Sequence, residues 1–383
     1  MAQKKSKAKE IKSFDFILFI IVLFLLAFGI IMVLSASSPY SLSIYGTSYH
    51  YVIRQLIAAA IGIVAMLIIS KIDYRIYARF YKIIYVISVV GLLLVLVPKV
   101  GRPPINGARR WINVPIFGSL QPSEFTKLGM IVFFAAFLTN KRDELRHIWK
   151  GFFKPICFVL PVVAILILIQ SHFSASVVIV LVVSVMMLMA GSRMAHFLSF
   201  GTLGATCGIG AMYILAKYFK IGGFRLTRVT AFLNPWADMQ ESGWQIIQSL
   251  YAIGSGGLFG VGLGNSKQKY LYISEPQNDF IFAVIAEELG FVGCALVILL
   301  FAVFIWRGIL ISMKAPDMFG SLLACGITSL IGLQAIINIA VVTSSMPVTG
   351  IALPFFSYGG TSLIILLCAV GVLLNISRQS QKI

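Results

Sequence analysis

Acidic residues are scarce: 13 Asp and Glu stand among 383 residues, against 31 Lys and Arg. The four charged types together make up 11% of the chain, where an ordinary soluble domain carries about 25%. So few charges cannot cover the two or three water-exposed domains that this length would otherwise suggest. Histidine occurs four times and cysteine five. Cys157, Cys207, Cys294, Cys325 and Cys368 lie in or beside apolar runs, with no metal-ligand spacing and no pairing pattern. That excludes a zinc motif or a disulfide framework and leaves small buried hydrophobes. No GxxxxGK[ST] and no GxGxxG occurs, so nucleotide binding has no motif behind it. Internal repeats and low-complexity stretches are also absent.

What fills the chain is apolar sequence, 59% of it. A bilayer-spanning helix needs roughly 20 mostly apolar residues, and strands need far fewer, so these runs read as helices rather than barrel strands. Ten follow one another: Phe16–Leu34, Tyr51–Ile69, Ile83–Val97, a fourth from after Leu120 to Leu138, Ile156–Ile169, Ala175–Ala190, Phe197–Ala216, Phe280–Trp306, Met318–Val342 and Leu353–Leu374. Lys and Arg cluster in alternate connectors. They include Lys71, Arg75, Arg79 and Lys82, then Lys141, Arg142, Arg146, Lys150 and Lys154, then Arg307 and Lys314. The basic side is the cytoplasmic side. The expected fold is therefore an all-α integral membrane protein, one polytopic domain over 1–383, with both termini in the cytoplasm. A basic tail covers 1–14 and one large outer loop covers 217–279. The net charge of +18 is accounted for by short membrane-side loops, which excludes a nucleic-acid partner.

Two outer segments break the charge rule. The loop before the fourth span carries Lys99, Arg102, Arg109 and Arg110 beside Trp111. The long loop carries Lys220, Arg225, Arg228, Lys267 and Lys269. Cations on the outer face oppose the orientation signal, and they point to an anion site there, such as a lipid pyrophosphate. Arginines offer planar multi-donor contacts to phosphate, and Trp111 can rest at the interface or against a sugar face. The long loop also holds the glycine-dense run Ala252–Gly264 after a short amphipathic stretch around Ile246, Ile247 and Leu250. Small residues at that density let backbones approach each other or a ligand. Gln248 on this stretch is a further candidate substrate contact.

Asp279 is the most informative acid, standing where the long loop enters the eighth span in EPQNDFIFAVIAEELG. It can cap that helix, or accept a proton from a sugar hydroxyl. Glu287 and Glu288 lie about 12 to 14 Å deeper along the helix. Ionisable groups at such depth are paired or functional. Lys127, one turn from Glu124 in the fourth span, is the expected partner of Glu287 or Glu288. Thr343–Ser362 contains Pro347, Gly350, Pro354, Gly359 and Gly360 and cannot be one helix. Broken backbone at that level must be buried in protein or line a wet cavity, and Ser357 within it is a candidate substrate contact.

At these residues the sequence resembles the SEDS family, the FtsW, RodA and SpoVE proteins of bacterial envelope growth. The matching motifs are GARRWI (Gly107–Ile112), QPSE (Gln121–Glu124), NDFIFAVIAEELG (Asn278–Gly290) and PVTGIALPFFSYGGTS (Pro347–Ser362). The resemblance implies a glycosyltransferase of the cytoplasmic membrane that polymerises lipid II into glycan strands at the division septum. It also implies a class B penicillin-binding protein and other divisome membrane proteins as partners. The partner synthase would seat its single span at spans eight and nine. A lipid II flippase, a recruiting scaffold, and an elongation or sporulation member of the family stand as alternatives. Many members carry QPDLGT after the fifth span; here it reads QSHFSAS (Gln170–Ser176), with His172 in the acid's place. That departure resembles the FtsW branch. Asn278 replaces the usual Thr before Asp279. Pyrophosphate is a good leaving group, so inversion needs one base and surrounding cations: arginines, lysines, or a divalent ion such as Mg or Mn, with Asp279 as its candidate ligand.

Overall fold

The computed structural model describes residues 14–98, 100–103, 108–114, 118–145, 147–197, 231–239, 243–270 and 272–380. Lys99, Lys220, Arg225, Arg228 and most of the expected seventh span lie outside them. Within the described residues the chain is nearly all helical, as expected. In order these are α1 (Phe16–Tyr45), α2 (His50–Ile69), α3 (Arg75–Leu94), a hairpin of β1 (Ile112–Val114) and β2 (Gly118–Leu120), and α4 (Pro122–Asn140). Then come α5 (Lys154–Ala164), α6 (Phe173–Met189), α7 (Trp244–Gly256), α8 (Ile281–Met313), α9 (Met318–Val342) and α10 (Gly360–Gln379). Helix α5 is extended by π-helical turns at Ile148–Phe153 and Ile165–Ile169.

Seven of the described helices are long and apolar enough to cross a membrane: α1, α2, α3, the segment Gly151–Ile169, α8, α9 and α10. Helix α6 is shorter, and α4 carries Glu124 and Lys127 in its first two turns. Two expected boundaries shift. The presumed outer loop from Ser35 is largely helix, because α1 runs on through Pro39 to Tyr45 and stops at Gly46, whose φ of 69° lets its N–H bond back to Leu42 O. The last span begins at Gly360 rather than Leu353, because 343–359 is irregular.

The buried side chains form one connected apolar cluster from α1 to α10. Helix α2 packs along α10, α3 along α4, and α8 along both α1 and α9. Helices α2 and α3 are consecutive in the chain yet barely touch. Most of α3 faces outward, with Ile76, Phe80, Ile83, Val86 and Val90 exposed as lipid-facing side chains are.

The helix ends on the side of the termini are tied by polar contacts. Asp15 caps α1 through Leu18 N–H and takes the guanidinium of Arg307 at the end of α8 (Nε to Oδ2 3.0 Å). Asp317, ahead of α9, accepts from the Tyr74 hydroxyl at 2.6 Å and from Arg75 at 3.1 Å. Asn375 of α10 accepts from Tyr74 N–H and donates to Ser70 O. These contacts hold one end of the bundle, while the candidate site lies at the other.

Candidate active site at the outer rim

Asp279 lies in the turn just ahead of α8 and is partly buried. The helix N-cap is Phe280, with no side-chain cap bond there. The turn is held by its main chain. Tyr358 N–H donates to Gln277 O at 2.8 Å, Ser357 Oγ to Asn278 O at 2.7 Å, and Asn338 Nδ2 to Asp279 O at 2.7 Å. These donors come from α9 and from the irregular segment that precedes α10, so the broken backbone expected at Thr343–Ser362 is what encloses Asp279. Gly350 stands against the carboxylate: it has φ +68°, and a Cβ there would lie 3.0 Å from Asp279 Oδ2. Both the sign of φ and the space favour glycine.

Glu287 and Glu288 belong to a separate, buried cluster. Glu287 accepts from Lys267 N–H at 2.8 Å and from Ser266 Oγ at 2.5 Å. Glu288 pairs with Lys269 Nζ at 2.8 Å and accepts from Ser35 Oγ at 2.7 Å. The expected pair from Lys127 to Glu287 or Glu288 is not formed. Lys127 Nζ bonds instead to Glu124, three residues away on the same helix, at 2.8 Å. Lys269, expected to hold substrate, is 3% exposed and its ammonium is taken by Glu288, Ser35 and Gly264 O. Lys267, with its side chain exposed, keeps that possibility. Two glycines of the glycine-dense run have a local explanation. Gly256 and Gly260 lie directly on the main chain of Ala286–Leu289, where a Cβ would collide, and α8 breaks at Gly290 (φ 65°). Phe291 N–H and Val292 N–H then bond to Gly257 O and Leu258 O. Gly256 and Gly260 thus let backbone meet backbone. Gln248 is buried on α7.

The arginine loop reaches the same corner by another route. Arg110 donates from Nη2 to Ser171 O at 2.6 Å and from Nε to Gln170 O at 3.3 Å. It thereby sits on the turn between α5 and α6. That turn in turn meets the Asp279 enclosure, since Ser174 Oγ donates to Thr349 O, beside Gly350. Arg109 is exposed and Trp111 partly buried. The β1–β2 hairpin that follows is pinned to α10 through Thr361 Oγ1 and Ser119 O at 3.1 Å. His172 is buried, and its Nδ1 has no protein partner. Burial, reinforced by Arg110 and Lys127, lowers its pKa to about 3, so the imidazole is neutral.

The sequence reading missed Arg54. It lies one turn into α2, exposed, with its charge acting on the Tyr358 hydroxyl. Burial raises the Tyr358 pKa and Arg54 opposes the rise. Tyr358 packs edge-on against Tyr51 at 4.9 Å, and Tyr45 stacks on His50 at 3.7 Å. The signal was present as a lone cation in the outer first turn of an otherwise apolar run.

Among the described residues no three His, Cys, Asp or Glu side chains come together to form a metal cage. Asp279 offers a divalent ion one carboxylate ligand, with substrate phosphates and water completing the shell, a mode that suits Mg.

Residues 16–382 match the FtsW/RodA/SpoVE family, described as cell cycle protein. Stage V sporulation protein E of Bacillus subtilis (strain 168) is 48% identical over 367 residues, covering 96% of this chain and 98% of that protein. The probable peptidoglycan glycosyltransferase FtsW of Trichlorobacter lovleyi is 42% identical over 371 residues, covering 97% and 95%. Among solved structures, a chain from work on the structural coordination of polymerization and crosslinking by a peptidoglycan synthase complex superposes with a TM-score of 0.77. It is 28% identical and covers 95% of this chain and 98% of that one.

Proposed function

The chain belongs to the FtsW/RodA/SpoVE family of cell cycle proteins, and from that premise we propose the reaction its outer site carries out. The protein is a multi-pass membrane peptidoglycan glycosyltransferase of the FtsW kind. It joins lipid II into glycan strands at the outer face of the cytoplasmic membrane, at the division septum. The observation that carries the mechanism is Asp279, held by its main chain and walled by Gly350 at an outer rim lined with cations.

In the reaction the acceptor sugar hydroxyl attacks the anomeric carbon of the donor with inversion. The new glycosidic bond forms as the bond to the lipid pyrophosphate breaks. Asp279 accepts the hydroxyl proton as that oxygen becomes bonded to carbon. Negative charge gathers on the departing pyrophosphate, where Arg109, Arg110 and Arg54 supply fixed positive charge. Arg225 and Arg228 complete the expected cation set but lie outside the described residues. A divalent cation on Asp279 would neutralise the same charge.

The partner is a class B penicillin-binding protein. It is proposed to seat its single span where α8 exposes Phe291, Val292, Leu296 and Leu299 and α9 exposes Ile336. The test is to purify the chain with its cognate penicillin-binding protein, add lipid II, and resolve the products on a gel. Glycan strands are expected. Movement of lipid II across vesicle membranes with no strands formed would overturn the enzyme in favour of a flippase.

A further inference from the structure

The carbonyls that lead into a helix have no partner inside it and must find donors elsewhere. For Gln277 and Asn278 the donors belong to the neighbouring Ser357–Tyr358 stretch. For Asp279 the donor comes from the interior of a span. Asn338 stands on α9, is 1% exposed, and reaches Asp279 O at 2.7 Å and Ile351 O at 2.7 Å from the same Nδ2. Both amide hydrogens are thereby used. One fixes the main chain of Asp279, and the other fixes the residue next to Gly350, which faces the Asp279 carboxylate. The one amide thus sets two walls of the carboxylate's surroundings. Its own Oδ1 is buried with no protein partner. An unpaired buried acceptor is destabilising, so packing alone does not select this residue.

We infer that Asn338 is a positioning residue for the transfer: it fixes the place and direction of the Asp279 carboxylate by bridging the main chains of Asp279 and Ile351, without touching substrate. The inference rests on the reading of Asp279 as the base. Its consequence is that Asn338 matters only as far as a correctly placed Asp279 does.

The test uses the complex with the penicillin-binding protein, with rates expressed per intact complex. Asn338→Ala is measured in the native background and with Asp279→Glu, whose carboxylate is already displaced. In the native background kcat should fall about 10–100-fold, since a shift of about 1 Å at a catalytic group costs that much. KM for lipid II should stay within about threefold, because no substrate contact is lost. In the Asp279→Glu background the same replacement should cost less than about threefold, because residues acting as a unit are non-additive. An equal loss in both backgrounds, a change in KM alone, or a normal kcat would overturn the inference. Ser357→Ala, which frees the neighbouring Asn278 carbonyl and the Leu353 N–H, provides a second variant if Asn338→Ala gives no complex. It should lower kcat at constant KM, and a normal kcat would count against the positioning role. Near-normal activity of Asp279→Asn would instead remove the underlying base assignment, so the two failures are distinguishable.

Discussion

Two acidic sites lie within nine residues of each other at the outer end of α8, and the chain treats them differently. Glu287 and Glu288 are 2% and 0% exposed, and their carboxylates are used to hold structure. Amides and the hydroxyl of the Ser266–Gln268 stretch, Ser35 and the Lys269 ammonium all converge on them. At Asp279 the main chain is held by Asn338, and the partly exposed side chain faces Gly350. The first arrangement turns charge into architecture. The second uses architecture to present a charge.

Breaking the buried side of the comparison should have the largest effect. Glu288→Ala leaves the Lys269 ammonium buried without its carboxylate, at a cost of about 3–5 kcal/mol. The expected result is a sharp loss of monodisperse protein and a lower unfolding temperature, read by size exclusion and a thermal shift assay. Next comes Gly350→Ala, which forces a Cβ against Asp279 Oδ2 at a left-handed φ. Complex yield should be close to normal while polymerisation falls about 10–100-fold. Normal polymerisation in Gly350→Ala would mean that the wall facing Asp279 has no bearing on its chemistry.

Arg110→Ala should act between these extremes. It removes charged donors from the Gln170–Ser171 turn and from the proposed pyrophosphate site. A lost charge-assisted hydrogen bond is worth about 1.5–3 kcal/mol, so lipid II use should weaken by an order of magnitude or more. Folding should change less than activity; the reverse would make the loop structural. The smallest effect concerns pH. The folded pKa of His172 lies below its ordinary value, near 3. Its contribution to stability is therefore fully present above about 6.5 and is lost as pH falls toward 3. His172→Gln should flatten that part of the stability profile and leave the neutral-pH value little changed.

Much of the outline is legible in the sequence, because lipid and water impose simple rules on it. Basic residues in alternate connectors mark the inner face, and glycines and prolines in Thr343–Ser362 forbid a continuous helix. Asp279 stands out as an acid among outer cations. What stays hidden depends on long-range pairing. Lys269 and Glu288 are 19 residues apart and meet Ser35 from α1, which no local periodicity encodes. The break at Gly290 sits inside one predicted span and becomes visible only when the Gly256–Gly260 turn lands on it. Arg54 was absorbed into its span because one cation does not alter the hydropathy of twenty residues. Asn338 carried no motif, and its role comes entirely from what the fold places beside it.

The most direct measurement compares Asp279→Asn with Glu287→Gln in purified complexes, counting glycan strands formed from lipid II per intact complex. Both changes keep side-chain size and remove one negative charge from the same helix end. Base catalysis typically contributes 10²–10⁴-fold, so Asp279→Asn should assemble normally yet polymerise at no more than about a hundredth of the native rate. Glu287→Gln should give less complex, with a near-native rate in what remains. Near-native polymerisation by Asp279→Asn, or a comparable loss in an intact Glu287→Gln complex, would contradict the division between the two sites.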